Sequence, residues 1–455
     1  MNVLLLSTYE SGHQPFGLAS PAAWLRETGF SVTCLDLSQT PLSEAAVRAA
    51  RLIAIYLPMH TATRIAMRVI AKLRAWNPEV HLCAYGLYAP LNAEMLRASG
   101  VATILGGEFE SGLLSLAQRL RESANGAWPQ LEPEINLARQ QFRVPDRSGL
   151  PALERYSRLV LPDGTERIAG YTEASRGCKH LCRHCPIVPV YGGKFRIVER
   201  KVVLEDIRRQ VAAGAEHITF GDPDFFNGVR HALELVQALH REHPQVSYDV
   251  TIKAEHLLKH AQHLPALRST GCAFVTTAVE SLDDRVLTLL DKGHTRDDFF
   301  RLVSLFRKTG LELAPTFVAF HPWTTLESYE ELLRTLAELD LVENVPPVQL
   351  MLRLLIPARS RLLELKEVLE VIGPFEESAL SYRWKYPDPQ VEQLQRQVAA
   401  MIEKKGAEGC ERREIFSEAL KLARRALNQS IPALPSVPLV ASRATIPYLT
   451  EPWFC

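Results

Sequence analysis

Apolar runs alternate with amphipathic segments along the first 120 residues of the chain. The apolar runs begin at Asn2, Phe30, Arg51, Glu79 and Val101. Each run is followed by a segment with helical character, and Ser43 precedes one of them as a predicted N-cap. Near-continuous apolar strands separated by helices are typical of a parallel sheet that is covered on both faces. The pattern therefore predicts a doubly wound α/β domain over residues 1–120.

The loops after the predicted strands carry the residues that such a domain offers to a ligand. Ligands of doubly wound domains bind outside the carboxyl ends of the strands. The residues at those ends are Tyr9, Gly12, His13, Pro58, Met59, Gly86, Leu87, Tyr88, Gly106, Gly107 and Glu108. The glycines allow close approach of a ligand to the backbone, although they suit plain loop turns equally well. No G-x-G-x-x-G follows the first strand, which argues against a dinucleotide site.

The rest of the chain divides by composition. Residues 121–170 are rich in Pro, Arg and polar residues and predict a linker with short helices between two domains. A second series of strands and helices fills residues 171–365, and charge-rich amphipathic helices fill residues 366–430. The Pro-rich tail, residues 431–455, ends on Cys455.

Composition and charge exclude several classes of protein. Lys and Arg together number 52, as do Asp and Glu, so the formal net charge is zero. This balance argues against a protein that mainly binds nucleic acid or an anionic membrane. No stretch approaches about 18 uninterrupted apolar residues, and MNVLLLSTYESGH lacks the basic start of a signal peptide. We therefore expect a cytoplasmic protein whose thiols stay reduced.

Three of the eight cysteines, Cys178, Cys182 and Cys185, stand at C-x3-C-x2-C spacing after a predicted strand. Structural zinc needs four ligands, usually as two pairs, and the candidates for a fourth, His180 and His184, lie inside the same tight loop. Catalytic zinc would lack its usual His and Glu companions. A [4Fe–4S] cluster is held by cysteine thiolates, and three of them leave one iron open. The spacing favours the iron–sulfur cluster, with zinc or plain packing as the alternatives.

The cysteine loop resembles that of the radical S-adenosylmethionine (radical SAM) superfamily. The resemblance implies a partial (β/α)6 barrel in which SAM binds the open iron and is cleaved by one electron to a 5′-deoxyadenosyl radical. The family's GGE-like strand end corresponds here to Gly221-Asp222-Pro223-Asp224, which departs from that motif and leaves open which group holds the SAM amino group. The residues implied for SAM are Gly221, Asp222, Pro223, Lys253, Glu255, Glu280 and Ser281. A surface ion pair between Lys253 and Glu255, and a helix cap at Glu280, are the plainer interpretations.

A flavodoxin-like (Rossmann-like) domain before such a barrel resembles the cobalamin-binding subgroup of the superfamily. The stretch from Gly106 to Glu110 is similar to that subgroup's GEGE region, so the eleven strand-end residues from Tyr9 to Glu108 become the implied cobalamin contacts. No D-x-H-x-x-G is present, so a histidine ligand to cobalt is not implied. A domain that only supports the barrel is the alternative. Methylthiotransferases of tRNA match poorly because their first domain carries its own cysteine triad, whereas this one has only Cys34 and Cys83.

The whole chain also resembles a radical SAM group whose tail reads Cys-Sec-Ala-Glu-Pro or Cys-Cys-Ala-Glu-Pro. The similar stretches include STYESGHQPFGLASPAA, YTEASRGCKHLCRHCPIVPVYGG and ITFGDPDFFNG. We therefore hypothesise that the sequence stops just before a selenocysteine and that Cys455 is half of a redox-active pair. An ordinary C-terminus is the alternative, and the genomic codon after Cys455 decides between them.

These resemblances imply a cobalamin-dependent radical SAM enzyme that methylates a carbon of an unknown small-molecule substrate. An external one-electron reductant of the flavodoxin or ferredoxin type would supply electrons. A rearrangement or cyclisation enzyme whose cobalamin carries no methyl group is the first alternative. A non-catalytic iron–sulfur redox protein is the second. Neither a nucleic-acid partner nor a membrane is indicated.

Overall fold

The computed structural model describes residues 1–122, 132–430 and 444–451. The N-terminal domain is a parallel sheet with helices on both faces. Its strands are β1 (Asn2–Ser7), β2 (Ser31–Asp36), β3 (Leu52–Tyr56), β4 (His81–Tyr85), β5 (Thr103–Gly107) and β6 (Ile135–Asn136). Its helices are α1 (Phe16–Glu27), α2 (Glu44–Ala49), α3 (His60–Trp76), α4 (Tyr88–Leu91), α5 (Ala93–Ala98) and α6 (Phe109–Glu122).

The strand order in this sheet is β2-β1-β3-β4-β5-β6, and every pair is parallel. Strands β3, β4 and β5 are buried along their whole length, as their uninterrupted apolar sequences predict. Ser43 caps α2 by accepting a hydrogen bond from the Ala46 amide. The predicted doubly wound domain is therefore confirmed. The sixth strand was not predicted, because β6 is only two residues long and lies in the segment predicted as a linker.

The second domain is built on a curled sheet whose central strands are parallel. Its strands are β7 (Arg158–Val160), β8 (Glu166–Thr172), β9 (Ser175–Gly177), β10 (Phe195–Ile197), β11 (His217–Phe220), β12 (Ser247–Thr251), β13 (Cys272–Glu280) and β14 (Glu312–Phe317). Its helices are α7 (Val188–Tyr191), α8 (Arg200–Ala212), α9 (Val229–Glu242), α10 (Ala254–Lys259), α11 (Leu264–Ser269), α12 (Asp284–Leu289), α13 (Arg296–Thr309) and α14 (Leu326–Glu338). A largely helical region with one hairpin follows.

That C-terminal region contributes one strand to the curled sheet. Its elements are α15 (Lys366–Leu369), β15 (Ile372–Glu376), β16 (Ser381–Trp384), α16 (Pro389–Ala407), α17 (Arg412–Ala426) and β17 (Tyr448–Leu449). The order of the curled sheet is β14-β13-β12-β11-β8-β7-β17. Strands β7 and β17 pair antiparallel at one edge, so the C-terminal segment closes part of the half-barrel. Cys455 lies outside the described residues.

The sequence predicted a sixth β/α strand in the barrel, in the segment 346–357, and the structure differs there. The segment forms a short 3-10 helix, Pro347–Leu350, and meets the sheet only through an isolated bridge between Phe320 and Arg353. Proline has no amide hydrogen to offer a sheet ladder, and two prolines begin this segment. The side chain of Gln349 accepts a hydrogen bond from the Phe317 amide at the end of β14.

A buried ion cluster joins the two domains. The Arg176 guanidinium lies 2.6 Å from Glu110, 2.7 Å from Glu173 and 3.5 Å from Glu108. Glu108 and Glu110 follow β5 of the first domain, whereas Glu173 and Arg176 lie beside the cysteine loop of the second. The Arg176 side chain is 6% exposed, so water screens these charges little. No helix in the described ranges is both long and apolar enough to cross a bilayer.

Candidate functional site

The three closely spaced cysteines lie on one loop between β9 and α7. Gly177, the last residue of β9, has a φ of +73°, and a side chain at that position would collide with the Tyr191 ring. The loop therefore leaves the strand through a turn that requires glycine. Cys178 and Cys185 are half-buried, Cys182 is buried, and all three thiols are free.

The protein environment raises the pKa of two of these thiols, those of Cys178 and Cys185. Burial raises the pKa of Cys178 to about 11 and that of Cys185 to about 12, and the neighbouring Cys182 raises both further. Metal ligation requires the thiolate, so binding would release these protons and relieve the crowding of like charges. Such mutual interaction suits a set of ligands that is held together before metal arrives.

The spacing of potential ligand atoms separates a cluster from a single zinc ion. Two thiolates on one zinc ion lie about 3.8 Å apart, because Zn–S bonds are about 2.3 Å long and the geometry is tetrahedral. Within the described ranges, the one group of three ligand atoms within 4.8 Å of one another is Cys178, His180 and Asp224. Cys182 and Cys185 do not belong to that group. A cluster held by three thiolates, which the cysteine spacing favours, needs no such mononuclear geometry.

Glu280 ties the cysteine loop to the end of β13. Its Oε1 lies 3.2 Å from the Lys292 Nζ and 3.2 Å from the His184 Nε2, and His184 belongs to the cysteine loop. Burial opposes ionisation of Glu280, but Lys292 and His184 outweigh it and hold the pKa of Glu280 at about 2. The carboxylate is therefore a fixed anion, and its φ of +72° shows a backbone held in the left-handed region. A plain helix cap does not describe its contacts, whereas Ser281 does act as a local cap for the Asp283 amide.

Asp224 and two histidines form a second polar group beside Cys178. The Asp224 Oδ2 lies 2.6 Å from the His256 Nδ1 and 3.3 Å from the His180 Nε2. On the other side of its ring, His180 accepts from the Lys253 Nζ at 3.1 Å. Lys253 also donates to Glu255 at 3.1 Å, which is the predicted ion pair.

The sequence indicated no site role for Asp224, His256 or Lys292. It also did not indicate that His180 bridges Asp224 and Lys253. The spacing of Cys178 and His180 offered one signal, because both residues lie on one short loop. The adjacency of Glu255 and His256 offered another. Neither signal indicates that these residues meet Asp224, because that contact depends on the packing of β11 against β12.

In the stretch after β11, the Asp222 side chain and the Gly221 backbone have different surroundings. The Asp222 carboxylate is fully engaged, since it accepts from the Ala174 amide at 2.9 Å and from the Ser175 Oγ at 2.5 Å. Burial raises its pKa to about 7. It thus holds the connection into the cysteine loop. A side chain on Gly221 would collide with the Tyr171 hydroxyl, and Pro223 is half-buried beside Asp222.

The strand-end candidates of the first domain divide into two groups. Several of them pack near the cysteine loop: Met59 and Leu87 are half-buried, Tyr88 is buried, and they share one apolar cluster with Cys178 and Cys185. Pro58 is half-buried and next to Met59. Gly86, Gly106 and Gly107 are sites where a side chain would collide with Leu57, Pro90 and Asn136 respectively. The carboxyl edge of the first sheet therefore faces the cysteine loop.

The other candidates lie elsewhere. Glu108 is fully buried in the ion cluster around Arg176, and burial raises its pKa to about 7. The Tyr9 hydroxyl donates to Glu451 at 3.2 Å, and a side chain on Gly12 would collide with the same glutamate. His13 enters the curled sheet, where its ring packs on Tyr171 with centroids 4.8 Å apart.

The curled sheet borders a partly open cavity. The inner faces of its parallel strands and the segment 446–449 line this space, and His13 and Gly221 reach it from the first domain and from the end of β11. The cavity thus lies next to the predicted SAM residues and is entered from both domains.

Comparison with protein families identifies the radical SAM superfamily over residues 172–336. The chain is similar to the tRNA-2-methylthio-N(6)-dimethylallyladenosine synthase of Chlorobium phaeobacteroides, with 26% identity over 225 residues that cover 48% of each chain. It is also similar to hopanoid C-3 methylase of Methylococcus capsulatus, with 24% identity over 38% of this chain and 33% of the relative. The chain therefore matches about half or less of the length of these curated relatives. Unlike a ligand triad, Cys34 and Cys83 of the first domain are buried within β2 and β4.

Solved structures share the fold across both domains. The radical SAM methyltransferase TsrM from Kitasatospora setae, solved with cobalamin and a [4Fe–4S] cluster bound, superposes with a TM-score of 0.60 at 17% identity, over 74% of this chain and 73% of that one. The cobalamin-dependent SAM radical enzyme OxsB, solved with aqua-cobalamin, superposes with a TM-score of 0.68 at 14% identity, over 88% of this chain and 67% of that one. Residues 172–336 therefore match the radical SAM superfamily, and the chain shares the fold of these two solved structures.

Proposed function

We propose that the chain is a cobalamin-dependent radical SAM enzyme that methylates a carbon of a small-molecule substrate. One observation carries the proposal: three free thiols at C-x3-C-x2-C spacing stand on a loop against which the carboxyl edge of the first sheet packs. A site for an iron–sulfur cluster and a site for a planar cofactor are thereby brought face to face. The radical SAM match over residues 172–336 and the shared fold support the same conclusion.

In this proposal Cys178, Cys182 and Cys185 ligate the [4Fe–4S] cluster, and SAM occupies its open iron. When bound, the cluster supplies the electron that cleaves SAM to methionine and a 5′-deoxyadenosyl radical, and cobalamin supplies a methyl carrier. The protein binds, orients and shields these groups. Glu280 fixes the loop through His184, and Lys292 places a positive charge near Cys182 and Cys185, where it offsets thiolate charge.

Lys253 and Glu255 lie at the end of β12, opposite the loop that carries Gly293. A side chain on Gly293 would come within 2.8 Å of the Glu255 Oε2, so this glycine keeps the approach to both residues open. Glu255 is 42% exposed and can accept hydrogen bonds from a ribose or an amino group. We assign Lys253, Glu255 and the backbone at Gly221 to SAM. Asp222 and Ser281 instead hold the protein's own backbone.

Met59, Leu87 and Tyr88 provide an apolar surface for one face of a corrin ring, since they pack towards Cys178 and Cys185. Glu108, Tyr9 and Gly12 are engaged by the protein and are weaker candidates for contact. An external one-electron reductant of the flavodoxin or ferredoxin type completes the cycle. A reducing compartment such as the cytoplasm suits the unpaired thiols.

Anaerobic reconstitution with iron, sulfide and cobalamin tests the proposal. With dithionite and SAM, the protein should release 5′-deoxyadenosine and, if methyl transfer from SAM occurs, S-adenosylhomocysteine. Cys182→Ser should lose most of its iron and all 5′-deoxyadenosine release, whereas the matched control Cys410→Ser, on the α16–α17 connection, should retain both. Leu87→Arg should reduce the corrin bound per chain, whereas Leu369→Arg, at a position 55% exposed, should not.

The products separate the competing functions. Release of 5′-deoxyadenosine without S-adenosylhomocysteine would favour a rearrangement or cyclisation enzyme. Retention of about four irons per chain with neither product would favour a redox protein without turnover. Absence of iron in the wild-type protein would refute the cluster and with it the whole proposal.

A further inference from the structure

The cavity inside the half-barrel has a polar wall on the strand side. Thr251 at the end of β12, Thr276 in β13 and Thr316 in β14 line it, and all three are half-buried. Their positions on neighbouring parallel strands present hydroxyl groups to the same space. On the far side, residues 446–449 close the cavity after the chain has returned from the C-terminal helices. Such a wall suits a hydroxylated or amine-bearing molecule better than an apolar one.

Arg412, the first residue of α17, lines the cavity together with residues 446–449. Its side chain is buried, its Nη1 donates to the backbone carbonyl of Glu343, and its guanidinium lies 4.7 Å from the centroid of the Tyr448 ring. The nearby Glu343 carboxylate is already bonded to Arg413 and Thr445. Within the described ranges Arg412 forms no ion pair with a carboxylate.

Two other arginines of the same helix each form an ion pair with a carboxylate. Arg413 pairs with Glu343, and Arg424 pairs with Glu330 at 2.9 Å. Arg412 is more deeply buried than either and yet lacks such a partner, and burial lowers its pKa to about 10. A buried cation whose nearby carboxylate, that of Glu343, is already bonded to other groups marks a place where a further anion would be stabilised.

His13 and Asp249 form the other polar end of the cavity. Neither ring nitrogen of His13 has a hydrogen-bond partner within the described ranges, although the residue is only 3% exposed. The Asp249 Oδ1 accepts from His217 at 2.9 Å and from Thr219 at 2.7 Å. Unsatisfied buried polar atoms are uncommon in proteins and call for a partner.

We propose that this cavity binds a small polar organic acid, with its carboxylate on Arg412 and a hydroxyl or amino group between His13 and Asp249. The assignment of this molecule as the substrate rests on the proposed function, because the cavity adjoins Gly221. The segment 444–451 is then a wall of the substrate site, since Tyr448 both lines the cavity and stacks on Arg412.

Equilibrium ultrafiltration of the anaerobically reconstituted full chain tests the inference. The probes are the proteinogenic L-amino acids and hydroxy acids of three to six carbons, each beside its carboxamide, with mass spectrometry of the retained fraction. We expect at least one acid to be retained tenfold or more over its own carboxamide. Arg412→Met and Thr316→Val should lose that retention or reduce it severalfold, whereas Arg425→Met, an exposed arginine of the same helix, should retain it.

Several outcomes would overturn the inference. The first is equal retention of every acid and its carboxamide. The second is retention by Arg412→Met equal to that of the wild type. The third is displacement of all acids by inorganic phosphate alone, which would indicate a phosphate site. If Arg412→Met fails to fold, Arg412→Lys and Thr316→Val decide the question. Release of 5′-deoxyadenosine in a protein that retains no acid removes this inference alone. Selective retention in a protein that releases none leaves the binding site and removes the proposed reaction.

Discussion

Replacement of Arg176 by methionine should destabilise the junction between the two domains. Arg176 is the cation closest to Glu108, Glu110 and Glu173, and all four side chains are largely buried. Methionine keeps much of the volume, so its packing on Phe109 and Phe142 changes little while the charge is removed. Removing one partner of a buried ion pair costs about 3–5 kcal/mol, because the remaining charge has no compensation.

The size of the effect should depend on pH. Burial already raises the pKa of Glu108 to about 7 and raises that of Glu173, whereas Arg176 outweighs burial and holds the pKa of Glu110 below its usual value. Without Arg176, these carboxyls can avoid burying charge only by taking up protons. At pH 8 we expect the full loss, which for a chain of this length corresponds to a melting temperature lower by roughly 3–5 °C. At pH 5.5, protonation should remove much of it.

Calorimetry and circular dichroism of the iron-free chain measure this loss without a contribution from cluster release. Arg230→Met is the matched control, since Arg230 forms a surface pair with Glu234 and is 92% exposed. That control should change stability by less than about 0.5 kcal/mol. Combining Arg176→Met with Glu110→Gln should recover part of the loss. A decrease of less than about 1 kcal/mol at pH 8, or an equal decrease at both pH values, would refute the reasoning.

Three further predictions follow from other contacts. Glu108 holds its proton more tightly in the folded chain than in the unfolded chain, so its contribution to stability declines by at most about 3 kcal/mol as the pH rises from about 4.5 to 7. In urea titrations across that range Glu108→Gln should lack this decline. The same dependence of stability on pH in the variant and the wild type would contradict the cause given. Gly221→Ala should cost about 1–3 kcal/mol through collision with Tyr171, whereas Gly406→Ala in α16, with open space around it, should be neutral or stabilising in the same melting assay. Glu280→Gln should weaken the hold on the cysteine loop and speed iron loss to a chelator severalfold relative to Glu377→Gln, and equal rates would show that the contacts with His184 and Lys292 do not restrain the loop.

Sequence and structure agree best where the signal is local. The apolar runs predicted β1 to β5 because a strand buried on both faces needs apolar residues throughout its length. The spacing of Cys178, Cys182 and Cys185 predicted a ligand set because three thiols within eight residues share one loop in any fold.

Agreement fails where a short element depends on distant partners. Strand β6 has two residues and exists because Gly106 and Gly107 lie beside it, and the segment of the predicted sixth barrel strand pairs with the sheet at the single bridge between Phe320 and Arg353. The resemblance implies a SAM contact for Asp222, which stays a prediction, and the structure adds that its carboxylate accepts from the Ala174 amide and the Ser175 hydroxyl. That choice of partner follows from sheet packing.

The sequence by itself therefore determined the two α/β domains, their order, and the loop that carries the three cysteines, since each follows from the spacing of neighbouring residues. Only the tertiary structure decided which side chains meet across domains. Tyr9 reaches Glu451, Arg176 bridges to Glu110, and Arg412 shares a cavity with His13. These contacts join residues from 66 to 442 positions apart, and no local period encodes them, because they arise from how whole layers pack together.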